Sequence, residues 1–212
     1  MPQGRFITFE GGEGSGKSTQ LALLADRLAG HGTRVIRTRE PGGAPGAEQI
    51  RRLLVEGEVG RWDALTEALL LFAARRDHLV RTIWPALAAG DWVLSDRFAD
   101  STLAYQGYGH GLPVDQIEQL YRLTVGEFTP DLTLILDQPV GIGLDRAKRR
   151  GSAEDRFERM DEAFHQRLRQ GYLAVAARYA TRCVVLPANG TIEQVQSAVW
   201  DIVKARLLPA LP

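Results

Sequence analysis

The segment Gly11-Gly12-Glu13-Gly14-Ser15-Gly16-Lys17-Ser18 has the spacing G-x-x-x-x-G-K-[ST]. The chemistry at this spacing is anion binding. Glycines let successive backbone N–H groups turn inward around phosphate oxygens, Lys17 can reach β and γ phosphates, and the Ser18 hydroxyl can ligate Mg2+. An apolar run precedes the segment and helical spacing follows it, which distinguishes it from a chance Gly-rich turn and implies a nucleoside triphosphate site. Missing residues narrow the class. Asn189, followed by Gly190, is the only asparagine, so the Asn-Lys-x-Asp signature with which GTPases read guanine is absent. The paired acids usual in motor ATPases are absent too, since Leu94-Ser95-Asp96 runs into Arg97 and Ile135-Leu136-Asp137 runs into Gln138.

Asp96-Arg97 places a carboxylate beside a guanidinium. The carboxylate could hold Mg2+ through water, and the planar guanidinium could bind an acceptor phosphate bidentately, in line with a γ-phosphate. An ordinary surface ion pair would use the same dipeptide. From Arg146 to Arg156 there are five cations (Arg146, Lys148, Arg149, Arg150, Arg156) against Glu154 and Asp155, with Gly151-Ser152 as a hinge. Such a segment, about 146–157, could close over triphosphate as a lid and bring an arginine to the migrating phosphoryl group. A solvated helix end would carry similar charges.

These groups must be gathered by a scaffold. Short apolar runs at Arg5 to Glu10, Arg34 to Thr38, Trp92 to Ser95, Leu132 to Asp137 and Arg182 to Leu186 read as strands. Helical spacing covers Lys17 to Ala29, Ala47 to Val55, Leu65 to Ala89, Val114 to Glu127, Val140 to Arg150, Glu158 to Tyr179 and Ile192 to Leu208. The alternation predicts an α/β fold with a five-stranded, mainly parallel sheet covered on both faces, and functional loops after Glu10, Thr38, Ser95 and Asp137.

The chain has 212 residues, 44% hydrophobic and 25% charged, which fits one domain. Twenty-six Lys+Arg balance twenty-six Asp+Glu, leaving no global positive field for nucleic acid or an anionic membrane. A lone cysteine, Cys183, forms no internal disulfide, and no signal peptide or membrane span is expected, so the cytoplasm is the expected compartment. His31, His78, His110 and His165 lack metal-ligand spacing. The stripe Leu65/Leu69/Phe72 reads as core or subunit interface.

Phe9-Glu10-Gly11 with the phosphate loop, Thr38-Arg39-Glu40-Pro41-Gly42-Gly43, Phe72-Ala73-Ala74-Arg75, Ser95-Asp96-Arg97-Phe98, Ala104-Tyr105-Gln106-Gly107 and Asp155-Arg156-Phe157-Glu158 together resemble bacterial thymidylate kinases over essentially the whole chain. The resemblance implies a P-loop fold of the nucleoside monophosphate kinase type, a homodimer, and transfer of the ATP γ-phosphoryl group to dTMP with Mg2+. It implies that Glu13 lies near the acceptor sugar hydroxyl and that Arg97 holds the acceptor phosphate. It further implies an acceptor pocket of Arg39, Pro41, Arg51, Arg75, Thr102, Tyr105 and Gln106, in which Arg75 and Gln106 face the polar edge of thymine and Tyr105 crowds C2′. Relatives stack the base on a phenylalanine four residues before the pocket arginine; here Leu71 has that spacing and Phe72 follows, so either could contact the base. Some relatives carry a basic residue in the phosphate loop and others in the lid; this loop has no cation between Gly12 and Ser15, so the resemblance implies that the lid supplies one, with Arg156 first and Arg149 and Arg150 next. Two rivals remain at this stage: a kinase for another nucleoside monophosphate, and a non-catalytic ATP-binding regulatory module.

Overall fold

The computed structural model describes residues 4–150 and 156–208, with Arg150 described by its backbone alone. The segment expected to form a lid therefore falls partly outside the described residues. Five strands, β1 (Phe6–Glu10), β2 (Val35–Arg39), β3 (Trp92–Asp96), β4 (Leu132–Asp137) and β5 (Cys183–Pro187), form one sheet in the order β2-β3-β1-β4-β5. Every pairing is parallel. The expected strands are all present, each within a residue of its expected bounds.

The period of two along β1 divides the core between the sheet's faces. Ile7 and Phe9 pack against helices α1 (Lys17–Gly30) and α9 (Ile192–Leu207), where Leu21, Leu24, Ala25 and Leu28 form an i, i+3, i+4, i+7 stripe. Phe6 turns to the other face and packs with Phe72, Val93 and Phe98. On that second face pack α3 (Ala64–His78), which also carries α2 (Pro45–Val55) through Ala47 and Ala74, and α4 (Trp84–Ala88), then α5 (Ala99–Thr102) and α6 (Val114–Thr124). Helices α7 (Val140–Arg150) and α8 (Glu162–Arg178) link β4 to β5. Because β1 is central, its carboxyl end opens where ligands bind in open α/β sheets.

Three helical expectations change. The long helix over 65–89 is interrupted by a π-helical stretch, Leu79–Ile83, between α3 and α4. Pro85 lacks an N–H and would clash with the Arg81 carbonyl in a regular helix, and the wider turn accommodates both. Residues 99–109, for which no helix is expected, form α5 and a π-helical run, Leu103–Gly109. Helix α8 begins at Glu162 rather than Glu158, because Asp161 caps it by accepting from the Phe164 N–H at 2.6 Å. The single thiol, Cys183, is buried on β5, and burial together with the nearby Asp100 pushes it up to about 12.

Helix α3, which carries several site residues, is capped by exposed Asp63, whose Oδ1 accepts from the N–H groups of Leu65 (3.0 Å) and Thr66 (3.1 Å). Asp63→Ala removes both acceptors, so the melting temperature should fall by about 2–4 °C, as read by a circular-dichroism melt.

Candidate active site

The loop between β1 and α1 turns as its glycines permit. Gly11 has φ +133°, and a Cβ there would lie 2.4 Å from the Leu136 carbonyl oxygen; Gly14, at φ +64°, would meet the Gly143 carbonyl oxygen at 2.1 Å. No other residue fits either position. Lys17 Nζ donates to the carbonyl oxygens of Gly12 (2.8 Å) and Gly11 (3.1 Å), which arch it back over the loop. Burial, reinforced by the neighbouring Arg97 guanidinium, pushes the Lys17 ammonium down to about 8. The Ser18 hydroxyl donates to Asp96 Oδ2 at the end of β3. A hydroxyl and a carboxylate side by side are hard oxygen donors, which suit Mg2+ and its retained waters.

Arg97 follows at φ +73°, a left-handed conformation uncommon for a residue with a side chain. Glu10, fully buried at the end of β1, holds the turn: it accepts from the Phe98 N–H at 2.7 Å and bonds the Ser101 hydroxyl at 2.5 Å. Burial and the Asp100 charge push Glu10 up to about 8. The Arg97 guanidinium donates to the Gly11 carbonyl (3.0 Å), the Tyr172 hydroxyl (2.8 Å) and Glu13 Oε1 (2.9 Å). Tyr105 donates to the same Glu13 oxygen at 2.5 Å. Although burial raises Glu13, Arg97, Lys17 and Tyr105 outweigh it and hold the carboxyl at about 2. Glu13 and Arg97 thus form a permanently charged pair beside the phosphate loop.

A cavity of about 710 Å³ runs from this loop to a second end between α3 and the π-helical run Leu103–Gly109. At that end Arg75, 1% exposed, is gripped by Glu40 (Nε to Oε2, 2.7 Å) and Thr102 (Nη2 to Oγ1, 3.1 Å). His78 Nδ1 donates to the other Glu40 oxygen at 3.0 Å, so Glu40 is itself fixed. Two polar atoms here are buried and have no hydrogen-bond partner among the described residues: Arg75 Nη1 and Gln106 Oε1.

The cavity wall contains Glu13, Gly14, Ser15, Gly16, Lys17, Ser18, Asp96 and Arg97, together with Arg39, Pro41, Arg51, Leu71, Arg75, Thr102, Tyr105 and Gln106. Gly11 and Gly12, at the start of the loop, line a smaller neighbouring hollow instead. Leu71 faces the cavity, whereas Phe72 is buried in the core with Arg75 over its ring at 4.8 Å. Arg156 is not in the wall. It is fully buried, donating to the carbonyls of Leu54 (2.7 Å) and Glu58 (3.1 Å) and to Glu67 Oε1. Arg149 is exposed and donates to the Asp145 carbonyl at 3.2 Å; the Arg150 side chain lies outside the described residues. Among the described residues of this segment, Arg146 is the cation that lines the cavity, with Gln138 accepting from it at 3.0 Å. Sequence reading also missed Glu40, Ser101 and the wall after β5, Ala188 to Ile192, although the rule that ligands bind beyond strand ends could have found the last.

A model of the thymidylate kinase family matches residues 9–199. The chain is 56% identical over 207 residues to a thymidylate kinase of Caulobacter vibrioides, covering 98% of this chain and 99% of that one. It is 52% identical to a thymidylate kinase of a Bradyrhizobium species, covering 99% and 93%. A crystal structure of thymidylate kinase from Ehrlichia chaffeensis superposes with a TM-score of 0.77 at 36% identity, covering 95% of this chain and 99% of that one.

Lys17 loses its proton as pH rises through about 8 in the ligand-free site, so the loop's affinity for a triphosphate should be full below that value and decline above it. A fluorescent ATP analogue titrated from about pH 6.5 to 9.5 reads this directly; an affinity flat across the range would show that Lys17 stays charged.

Proposed function

The chain belongs to the thymidylate kinase family, and on that premise we propose that it transfers the γ-phosphoryl group of ATP to dTMP, giving ADP and dTDP. The observation that carries the acceptor assignment is the pair of unpartnered atoms at the second end of the cavity. Arg75 Nη1 can only donate and Gln106 Oε1 can only accept. Thymine offers the complement, an O4 acceptor beside an N3–H donor. Cytosine offers an amino donor and a bare N3, so both contacts would fail, and a buried unpaired polar group costs about 1–3 kcal/mol. Leu71 in the wall supplies an apolar contact for the ring, and Tyr105, bonded to Glu13, crowds the sugar C2′.

ATP phosphates would occupy the loop from Gly11 to Ser18, with Lys17 leaving its carbonyl partners for phosphate oxygens. The wall after β5 would receive the base of ATP. Ser18 and Asp96 would hold Mg2+, which when bound neutralises phosphate charge. Arg97 would bind the acceptor phosphate, its strained backbone and Glu10 bracing fixing the guanidinium in line with the triphosphate. That phosphate is already an anion at neutral pH, so Arg97 and Lys17 work by positioning and charge neutralisation without a strong base. Arg39 and Arg51 add positive charge to the acceptor side.

The same proposal takes residues 1–212 as one kinase domain with a lid at about 146–157. Of the proposed lid cations, Arg146 lines the cavity and is the one set to meet the triphosphate, whereas Arg156 is committed to Glu67. Leu65 and Leu69, 42% and 50% exposed on α3, support a homodimer formed through helices. Among the described residues no helix is long and apolar enough to cross a membrane. A single reduced thiol supports the cytoplasm.

A coupled ADP-release assay over dTMP, UMP, CMP and AMP tests the assignment. Turnover with dTMP should exceed the others by at least about 100-fold; equal turnover with UMP, CMP or AMP would point to another monophosphate kinase. Detection of dTDP dismisses a purely regulatory module. Arg156→Ala leaves the Glu67 charge buried without its guanidinium and should lower the melting temperature markedly, whereas Arg146→Ala should raise KM for ATP and leave the melt nearly unchanged.

A further inference from the structure

Glu67 on α3 is fully buried and stands outside the cavity wall, yet it touches two segments that matter to the site. Its Oε2 accepts from Gln106 Nε2–H at 2.9 Å, and its Oε1 accepts from Arg156, with His110 Nε2 lying 3.7 Å from Oε2. Burying an ion pair of this kind stabilises little compared with an apolar pair of the same volume, so stability alone does not account for it. Its geometric effect is specific. An amide side chain can present either its oxygen or its NH2 to a given neighbour, and only the surrounding hydrogen bonds choose between the two orientations. A carboxylate accepts and never donates. Glu67 therefore takes the NH2 group and leaves Gln106 Oε1 as the unpartnered acceptor.

We propose that Glu67 is a specificity-determining positioning residue: it fixes the orientation of the Gln106 amide, so that the cavity presents an acceptor to the N3–H of a thymine and no donor to the N3 of a cytosine. Arg156 donates to the other Glu67 oxygen from behind, which leaves Oε2 to the Gln106 amide. This inference rests on the thymine reading of the cavity. Arg75 is held by a different acid, Glu40, so the two halves of base recognition are set independently, one by each carboxylate.

The test uses Glu67→Gln and the exchange variant Glu67→Gln/Gln106→Glu, assayed by kcat/KM with dTMP, dUMP and dCMP. Ratios between substrates cancel the fraction of active enzyme, so partial misfolding does not affect them. In Glu67→Gln the Gln106 amide is free to turn over. The preference for dTMP over dCMP should fall about tenfold or more, through KM for the monophosphate rather than kcat, with the preference for dTMP over dUMP and the KM for ATP unchanged. In the exchange variant the amide on α3 donates to the carboxylate across from it, which again shows an oxygen to the cavity, and the dTMP preference should return to within about threefold of the parent. An unaltered dTMP:dCMP ratio in the single variant, or a ratio still lost in the exchange variant, overturns the role of Glu67. If the single variant does not fold, retention of the ratio by the exchange variant supports the inference and its loss overturns it. A parent enzyme that does not prefer dTMP over dCMP instead overturns the thymine reading itself.

Discussion

The site depends on one buried carboxylate at the end of the central strand. Glu10 is fully buried and sits close to Asp100, so its charged form is costly; what it receives in return is the Phe98 N–H and the Ser101 hydroxyl. Those contacts hold open the turn in which Arg97 adopts φ +73°. A backbone in that region persists only where its surroundings over-determine it. Here β1 does so from one side and Tyr172 on α8 from the other, and the guanidinium is aimed back across the strand at the Gly11 carbonyl. The phosphate loop and the arginine thereby become parts of one rigid body, and the adjacency that phosphoryl transfer needs is present before any ligand arrives.

Charge neutrality over the whole chain takes on structural meaning at this level. Three of the cations at the cavity are each matched by an acid: Arg97 with Glu13, Arg75 with Glu40, Arg39 with Glu48. Each acid does more than cancel charge. Glu40, fixed in turn by His78, leaves one guanidinium nitrogen of Arg75 free, and Glu13 ties Arg97 to Tyr105. An anionic ligand thus meets guanidinium groups already oriented by partners behind them, so little side-chain entropy remains to be lost on binding.

Much of this was legible in the chain. The strands, the loop glycines with Lys17 and Ser18, and the Asp96-Arg97 pair follow from local pattern, because each element's period and each glycine's freedom are properties of neighbours in sequence. What was not legible required knowing which distant residues meet. Arg156 looks like a lid cation among four others, and only the fold reveals Glu67 beneath it, 89 positions earlier. Leu71 and Phe72 differ by one step of a helix, and tertiary packing alone decides that the leucine faces the cavity and the aromatic ring the core. The run from Ala99 to Gly109 conceals its helical character because Gly107 and Gly109 weaken the local signal; a π-helical turn then brings consecutive Tyr105 and Gln106 to the same wall.

Cys183 has a practical consequence. Buried on β5 beside Asp100, with its thiol pushed up to about 12, it carries almost no thiolate at neutral pH. A maleimide should therefore leave the Cys183 thiol of the folded chain essentially unmodified. A thiol introduced at exposed Ala163, in the first turn of α8, would be the group that a maleimide dye reaches, and the distance from that dye to a labelled nucleotide could be followed through a catalytic cycle without first engineering anything away.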